Sequence, residues 1–219
     1  MRRLIWAGAI VLVLLVHTVI TDRETKSAEK VRGGKVVEVA RQHGLRLHLD
    51  GARLMTAVVA SGVTAAESAR GFDTAWIDFT KGLGAPLGAV LAGSRELIDE
   101  AWRYKQMMGG ALRQAGIAAA GALYALDHHV DRLADDHANA RRLAEGLAEL
   151  PGIEIDPAGV ETNILVFGVP DAARFCARLE EHGVRMGPLD ARTVRAVTHL
   201  DVDAAGIERA LAAAFDAAA

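Results

Sequence analysis

Two residues in this 219-residue chain are placed where they could do chemistry. Lys81 follows the short apolar run Ala75 to Thr80 (AWIDFT) and precedes GLGAPLGAVLAG, whose glycines suit tight turns and close approach to a ligand. Asp50 ends LRLHLD, where Leu45, Leu47 and Leu49 alternate with Arg46, His48 and Asp50, so that one side faces a core and the polar set faces away. Taken singly, each has an ordinary alternative: Lys81 as a solvated loop lysine, Asp50 as a helix cap. Taken together they suit one kind of reaction. An amine can form a Schiff base with a carbonyl, and a carboxylate can keep a ring nitrogen protonated, so the pair would stabilise a carbanion.

The elements that must position these residues alternate between strand-like and helix-like runs from Gly33 onward, which predicts an α/β protein. The pattern predicts a short helix over 36–43 closed by Gly44, strands ending at Asp50 and Thr80, and a long helical region made of Glu96 to about Met108, then, after GGALRQAG, Ile117 to Leu126 and Arg132 to Leu150. Strand, helix, strand and helix then follow at 163–169, 172–182, 193–198 and 204–218. Asp50 and Lys81 thus both sit at carboxyl ends of strands, where ligands of open α/β sheets bind. A domain boundary is expected within 127–150, dividing a partial large domain (33–135) from a small C-terminal α+β domain (136–219).

Composition narrows the function. A net charge of -3 with interspersed signs gives no reason to expect nucleic acid as a partner, and a small molecule fits better. The single cysteine, Cys176, lies in an apolar-periodic stretch and reads as a buried structural thiol. His128, His129 and His137 lie among Asp127, Asp131, Asp135 and Asp136 without a metal-ligand spacing, so a solvated helix is expected there and no metal. Residues 4–20 form a nearly continuous apolar run behind Arg2 and Arg3, about the length of a short bilayer span. That run reads as an uncleaved anchor with residues 21–32 as a polar linker, or else as a leader foreign to the fold that follows it. Arg23, Lys26, Lys30 and Arg32 lean the body toward the cytoplasmic side.

Four stretches, HLDGARL (48–54), FTKGLGAPLGAVLAG (79–93), GGALRQAGIAAAGALYAL (109–126) and VRAVTHLDV (194–202), resemble successive motifs of the threonine aldolases, in that family's order. The resemblance runs from about Gly33 to the C-terminus. It implies fold type I of the pyridoxal 5'-phosphate (PLP) enzymes and an N-terminally truncated member. It makes Lys81 the Schiff-base lysine, Asp50 the partner of the pyridine nitrogen, and Arg53 a neighbour of the cofactor's phenolic oxygen. Arg195 would hold the substrate α-carboxylate, and Arg113 would help bind cofactor phosphate, often across a subunit interface of a homo-oligomer. Without the resemblance, Arg53 is a surface arginine on a first helical turn and Arg195 a strand-edge arginine paired with a carboxylate. The activity implied is cleavage of threonine or allo-threonine to glycine and an aldehyde. A PLP lyase of other specificity, such as a β-eliminating enzyme, and a non-catalytic remnant stay open beside it.

Overall fold

The computed structural model describes residues 37–218. Residues 37–42 are helical, and a turn at Gly44 leads into strand β1 (His48–Gly51). Helices α1 (Leu54–Ser61) and α2 (Ala65–Ser68) follow, then β2 (Thr74–Asp78) and β3 (Ala89–Gly93). Helices α3 (Arg95–Met107), α4 (Ala115–His128) and α5 (Leu133–Ala148) lead to the second sheet. That sheet contains β4 (Ile164–Gly168), β5 (Gly187–Pro188) and β6 (Thr193–Val197), with α6 (Ala172–Glu181) between β4 and β5 and α7 (Ala204–Ala218) at the end. The predicted apolar span at 4–20 and its linker lie outside the described residues. Among the described residues, no helix is long and apolar enough to cross a membrane.

The first sheet has the order β1-β2-β3, with β1 and β2 parallel and β3 antiparallel to β2. Parallel pairing sets His48 beside Thr74, Asp50 beside Trp76 and Gly51 beside Ile77. The strands approach so closely at Gly51 that an added Cβ would lie 1.9 Å from the Trp76 carbonyl oxygen, which is why HLDGAR needs a glycine there. Strand β3 departs from the sequence reading, which treats 82–93 as glycine-rich turns. Five apolar and small residues without alternation carry little strand signal, and all of β3 is exposed. Helix α1 starts beside Arg53 as that residue's helical reading implies, but its extent carries little signal, because LMTAVVAS is apolar almost throughout and shows no helical stripe. Leu45, expected on the buried side of β1, lies ahead of the strand and is 42% exposed, whereas Leu47 and Leu49 are half-buried.

The second sheet is antiparallel, order β4-β6-β5. Its inward residues Leu165, Phe167, Val194 and Ala196 meet Leu143 and Leu147 of α5, Phe175 and Leu179 of α6, and Ile207 and Ala213 of α7. Cys176 is half-buried against this cluster, and burial pushes its thiol up, so it is a packing residue, as expected, though less enclosed. A smaller cluster of Phe79, Leu83, Ala85, Ala125 and Leu133 underlies the turn that carries Lys81.

Candidate active site

Asp50 projects from the carboxyl end of β1. Its Oδ1 accepts hydrogen bonds from the Ala52 backbone N–H at 3.1 Å and from the Trp76 Nε1–H at 2.8 Å. The first is a local side-chain-to-backbone turn and not a helix cap, since Arg53 occupies the N-cap of α1. His48 shares the face of Asp50 but does not order it. The register places His48 against Thr74, and its Nδ1 lies 2.8 Å from the Thr74 hydroxyl. Trp76, which the sequence reading passes over, supplies the side-chain donor to Asp50.

Lys81 stands three residues beyond β2, on a turn built against the smaller core. Gly84 N–H donates to the Lys81 carbonyl at 2.9 Å, and Gly84 holds the positive φ of 66° that closes the turn. Beneath it, His129 Nδ1 donates to the Leu83 carbonyl at 2.6 Å and Arg132 Nη1 to the Gly82 carbonyl at 3.4 Å. The turn is thus pinned from behind while the amine points outward. Lys81 Nζ lies 3.3 Å from Asp78 Oδ2 and 5.5 Å from the centroid of the Trp76 ring. Burial works to raise the Asp78 pKa, but hydrogen bonds from the Thr80 hydroxyl and N–H, each 2.7 Å, and the neighbouring Lys81 outweigh it. The carboxyl is held below its ordinary range. Asp78 and Trp76 could have been found from the period-two alternation of AWIDFT, which sets Trp76 and Asp78 on one face of the strand.

Arg53, half-buried at the start of α1, and Arg195, on β6, line one open cleft of about 430 Å³ with Gly187, Pro188, Leu189 and Val197. Two arginines from distant segments therefore share a concave surface, as a site for an anion requires. Arg113 is exposed in the turn ahead of α4 and is not among the residues lining that cleft.

The histidine-rich stretch is less solvated than its sequence suggests. Asp136 is fully buried, because it is paired with Arg132 and its segment is tied to the second sheet by the Thr198 hydroxyl donating to the Asp136 carbonyl at 2.6 Å. Burial lowers the His137 pKa despite Asp136 beside it. Among the described residues, no group of three or more His, Cys, Asp or Glu is placed to hold a metal ion.

Residues 24–169, which include Asp50, Lys81 and the turn between β2 and β3, match the sequence model of the beta-eliminating lyases. The chain belongs to that family. It is similar to the probable low-specificity L-threonine aldolase 2 of Arabidopsis thaliana, at 40% identity over 182 residues, covering 81% of this chain and 51% of the relative. It is also similar to the low specificity L-threonine aldolase of Escherichia coli K12, at 39% identity over 187 residues, covering 80% and 55%. A crystal structure of a putative aromatic amino acid beta-eliminating lyase/threonine aldolase from Exiguobacterium superposes with a TM-score of 0.71 at 28% identity, covering 84% of this chain and 55% of that one. The chain thus spans about half the length of the curated relatives it matches. The α/β architecture of this family member is that of PLP fold type I, as the resemblance implies.

Proposed function

We propose that the protein is a PLP-dependent carbon–carbon lyase that cleaves β-hydroxy-α-amino acids of the threonine and allo-threonine type to glycine and an aldehyde. The observation that carries this reading is the juxtaposition, at the carboxyl ends of two adjacent parallel strands, of a held carboxylate and a lysine amine, both beside one indole ring. The donor set fits PLP: an amine for its carbonyl carbon, a carboxylate for its pyridine nitrogen, and guanidinium groups for its oxyanions. When bound, PLP supplies an electron sink for the pair released at the substrate α-carbon.

The chain's own groups have distinct tasks in this reading. Lys81 Nζ would hold the cofactor through its carbonyl carbon. Asp78 Oδ2 lies 3.3 Å from that amine and orients it, its own carboxyl, against the effect of burial, held below the ordinary range by the Thr80 hydroxyl and N–H and by Lys81. Asp50 would pair with the pyridine nitrogen, and Arg53 would lie near the phenolic oxygen. Arg195 takes the substrate α-carboxylate in the two-pronged geometry that a guanidinium offers, so the amino acid enters by the cleft it shares with Arg53. Arg113, exposed ahead of α4, would be free to approach cofactor phosphate in a neighbouring copy of a homo-oligomer. The family's description keeps β-elimination as the second reading, since the same amine and carboxylate serve it.

Purified full chain titrated with PLP is expected to gain a visible absorbance band that Lys81→Ala lacks, and to release acetaldehyde from threonine. Pyruvate from serine or cysteine without acetaldehyde would move the assignment to elimination. A chain that takes up no added PLP would overturn both.

A further inference from the structure

Asp50 is exposed at the end of a strand, where a short carboxylate would ordinarily sample several rotamers. It is held instead by two donors that converge on the same oxygen: the Ala52 N–H and the Trp76 indole N–H both meet Oδ1. The backbone donor follows from local turn geometry and would serve any aspartate here. The indole donor does not, because it comes from the neighbouring strand and depends on the register that sets Asp50 opposite Trp76. The same ring lies beside the amine of Lys81. We propose that Trp76 is a positioning residue of the cofactor site: its indole N–H fixes the Asp50 carboxylate through Oδ1 so that Oδ2 is presented to the pyridine nitrogen. This rests on the reading of Asp50 as the partner of that nitrogen.

Chemistry favours the assignment. An indole N–H donates and cannot accept, so it meets the carboxylate in only one sense, and its rigid ring brings that donor to a fixed place at little cost in rotamer freedom. Trp76 is half-buried in the sheet, so its ring is held by its neighbours while the Asp50 carboxylate it meets is exposed. Trp102 supplies the contrast within the same molecule. It is 57% exposed on α3, and its ring faces Lys105 at 4.6 Å, a surface cation–π pair.

The test separates the contact from the cofactor. In cofactor-free, nitrogen-15-labelled full chain, the Trp76 indole N–H resonance, assigned by its loss in Trp76→Phe, is expected to shift in Asp50→Ala while that of Trp102 stays in place. An unmoved Trp76 resonance overturns the proposal whether or not PLP binds. By equilibrium dialysis, Trp76→Phe is expected to weaken PLP binding about tenfold, as loss of a hydrogen bond to a charged group does. In the Asp50→Ala background the same change should add less than about twofold, because the residue it acts through is gone. Equal losses in both backgrounds would mean that Trp76 acts only through packing, and would overturn the proposal. If wild-type chain takes up no PLP, the functional reading fails on its own and the resonance alone decides the contact.

Discussion

The second sheet and the first are built on opposite principles. Around β4 and β6, Leu165, Phe167, Val194, Leu147, Leu179 and Ile207 are almost fully removed from water, and three helices close over them. Around β1 to β3 the enclosed cluster is small, β3 is exposed along its whole length, and α3 buries none of its residues. Trp102 and Met107 on α3, Met108 just beyond it and Ile117 on α4 stand in solvent. Yet Asp50, Trp76, Asp78 and Lys81 all belong to the thinly packed part. Their positions are fixed by hydrogen bonds, such as those onto Asp50 Oδ1 and onto the carbonyls of Gly82 and Leu83, more than by burial. Stability and chemistry are drawn from different halves, which predicts that they can be damaged separately.

The largest effect should come from the second sheet. Phe167 is 2% exposed and meets Phe175 edge to face, so Phe167→Ala should cost about 3–5 kcal/mol of unfolding free energy through lost transfer and the cavity left behind. Leu91, 41% exposed on β3, should cost less than about 1 kcal/mol when changed to alanine. Urea unfolding of the two variants measures both, and equal losses would break the comparison.

Next comes the residue that joins the halves. Arg132 pairs with the fully buried Asp136 and donates to the Gly82 carbonyl in the turn of Lys81. Arg132→Met should cost about 3 kcal/mol, most of it from leaving a buried carboxylate unpaired. It should also speed amide hydrogen exchange at Gly84, whose N–H closes that turn. Normal protection at Gly84 in a destabilised variant would show that His129 alone anchors the turn.

The same contrast governs how much could be read from sequence. The second sheet is legible because its residues alternate or recur at helical spacing: ILVFG, TVRAV and the stripe Phe175 and Leu179 each announce the face they bury. In the first sheet, Asp50 and Lys81 are legible because they end runs and precede glycines. What surrounds them is not. Trp76 looks like one more apolar residue of AWIDFT until the register with β1 puts its N–H beside Asp50. Likewise Asp136 looks solvated among charged neighbours, and its burial follows only from Arg132 one turn away and Thr198 from a distant segment. Pairings between remote segments set these roles, and no local period encodes them.

The smallest expected effect sharpens the comparison from the side of the packed core. His137 on α5 is half-buried with Nε2 enclosed, and burial depresses its pKa, with Asp136 opposing and Arg132 already occupying that carboxylate. Above about pH 6.5, the ordinary value for histidine, the ring is neutral folded or unfolded and contributes no pH dependence. As pH falls through that value the unfolded chain takes up the proton first, so stability declines until the depressed folded value is passed. Asp78 and Asp190, both held below their ordinary range, add their own losses only in the more acid region below about 3.8. Between pH 7 and 5, then, the urea midpoint of the wild type should drop, and His137→Gln should reduce that drop by less than about 1 kcal/mol. An unchanged slope would mean that His137 gains water or a partner on protonation without unfolding, and that the packed half is looser around α5 than its buried leucines imply.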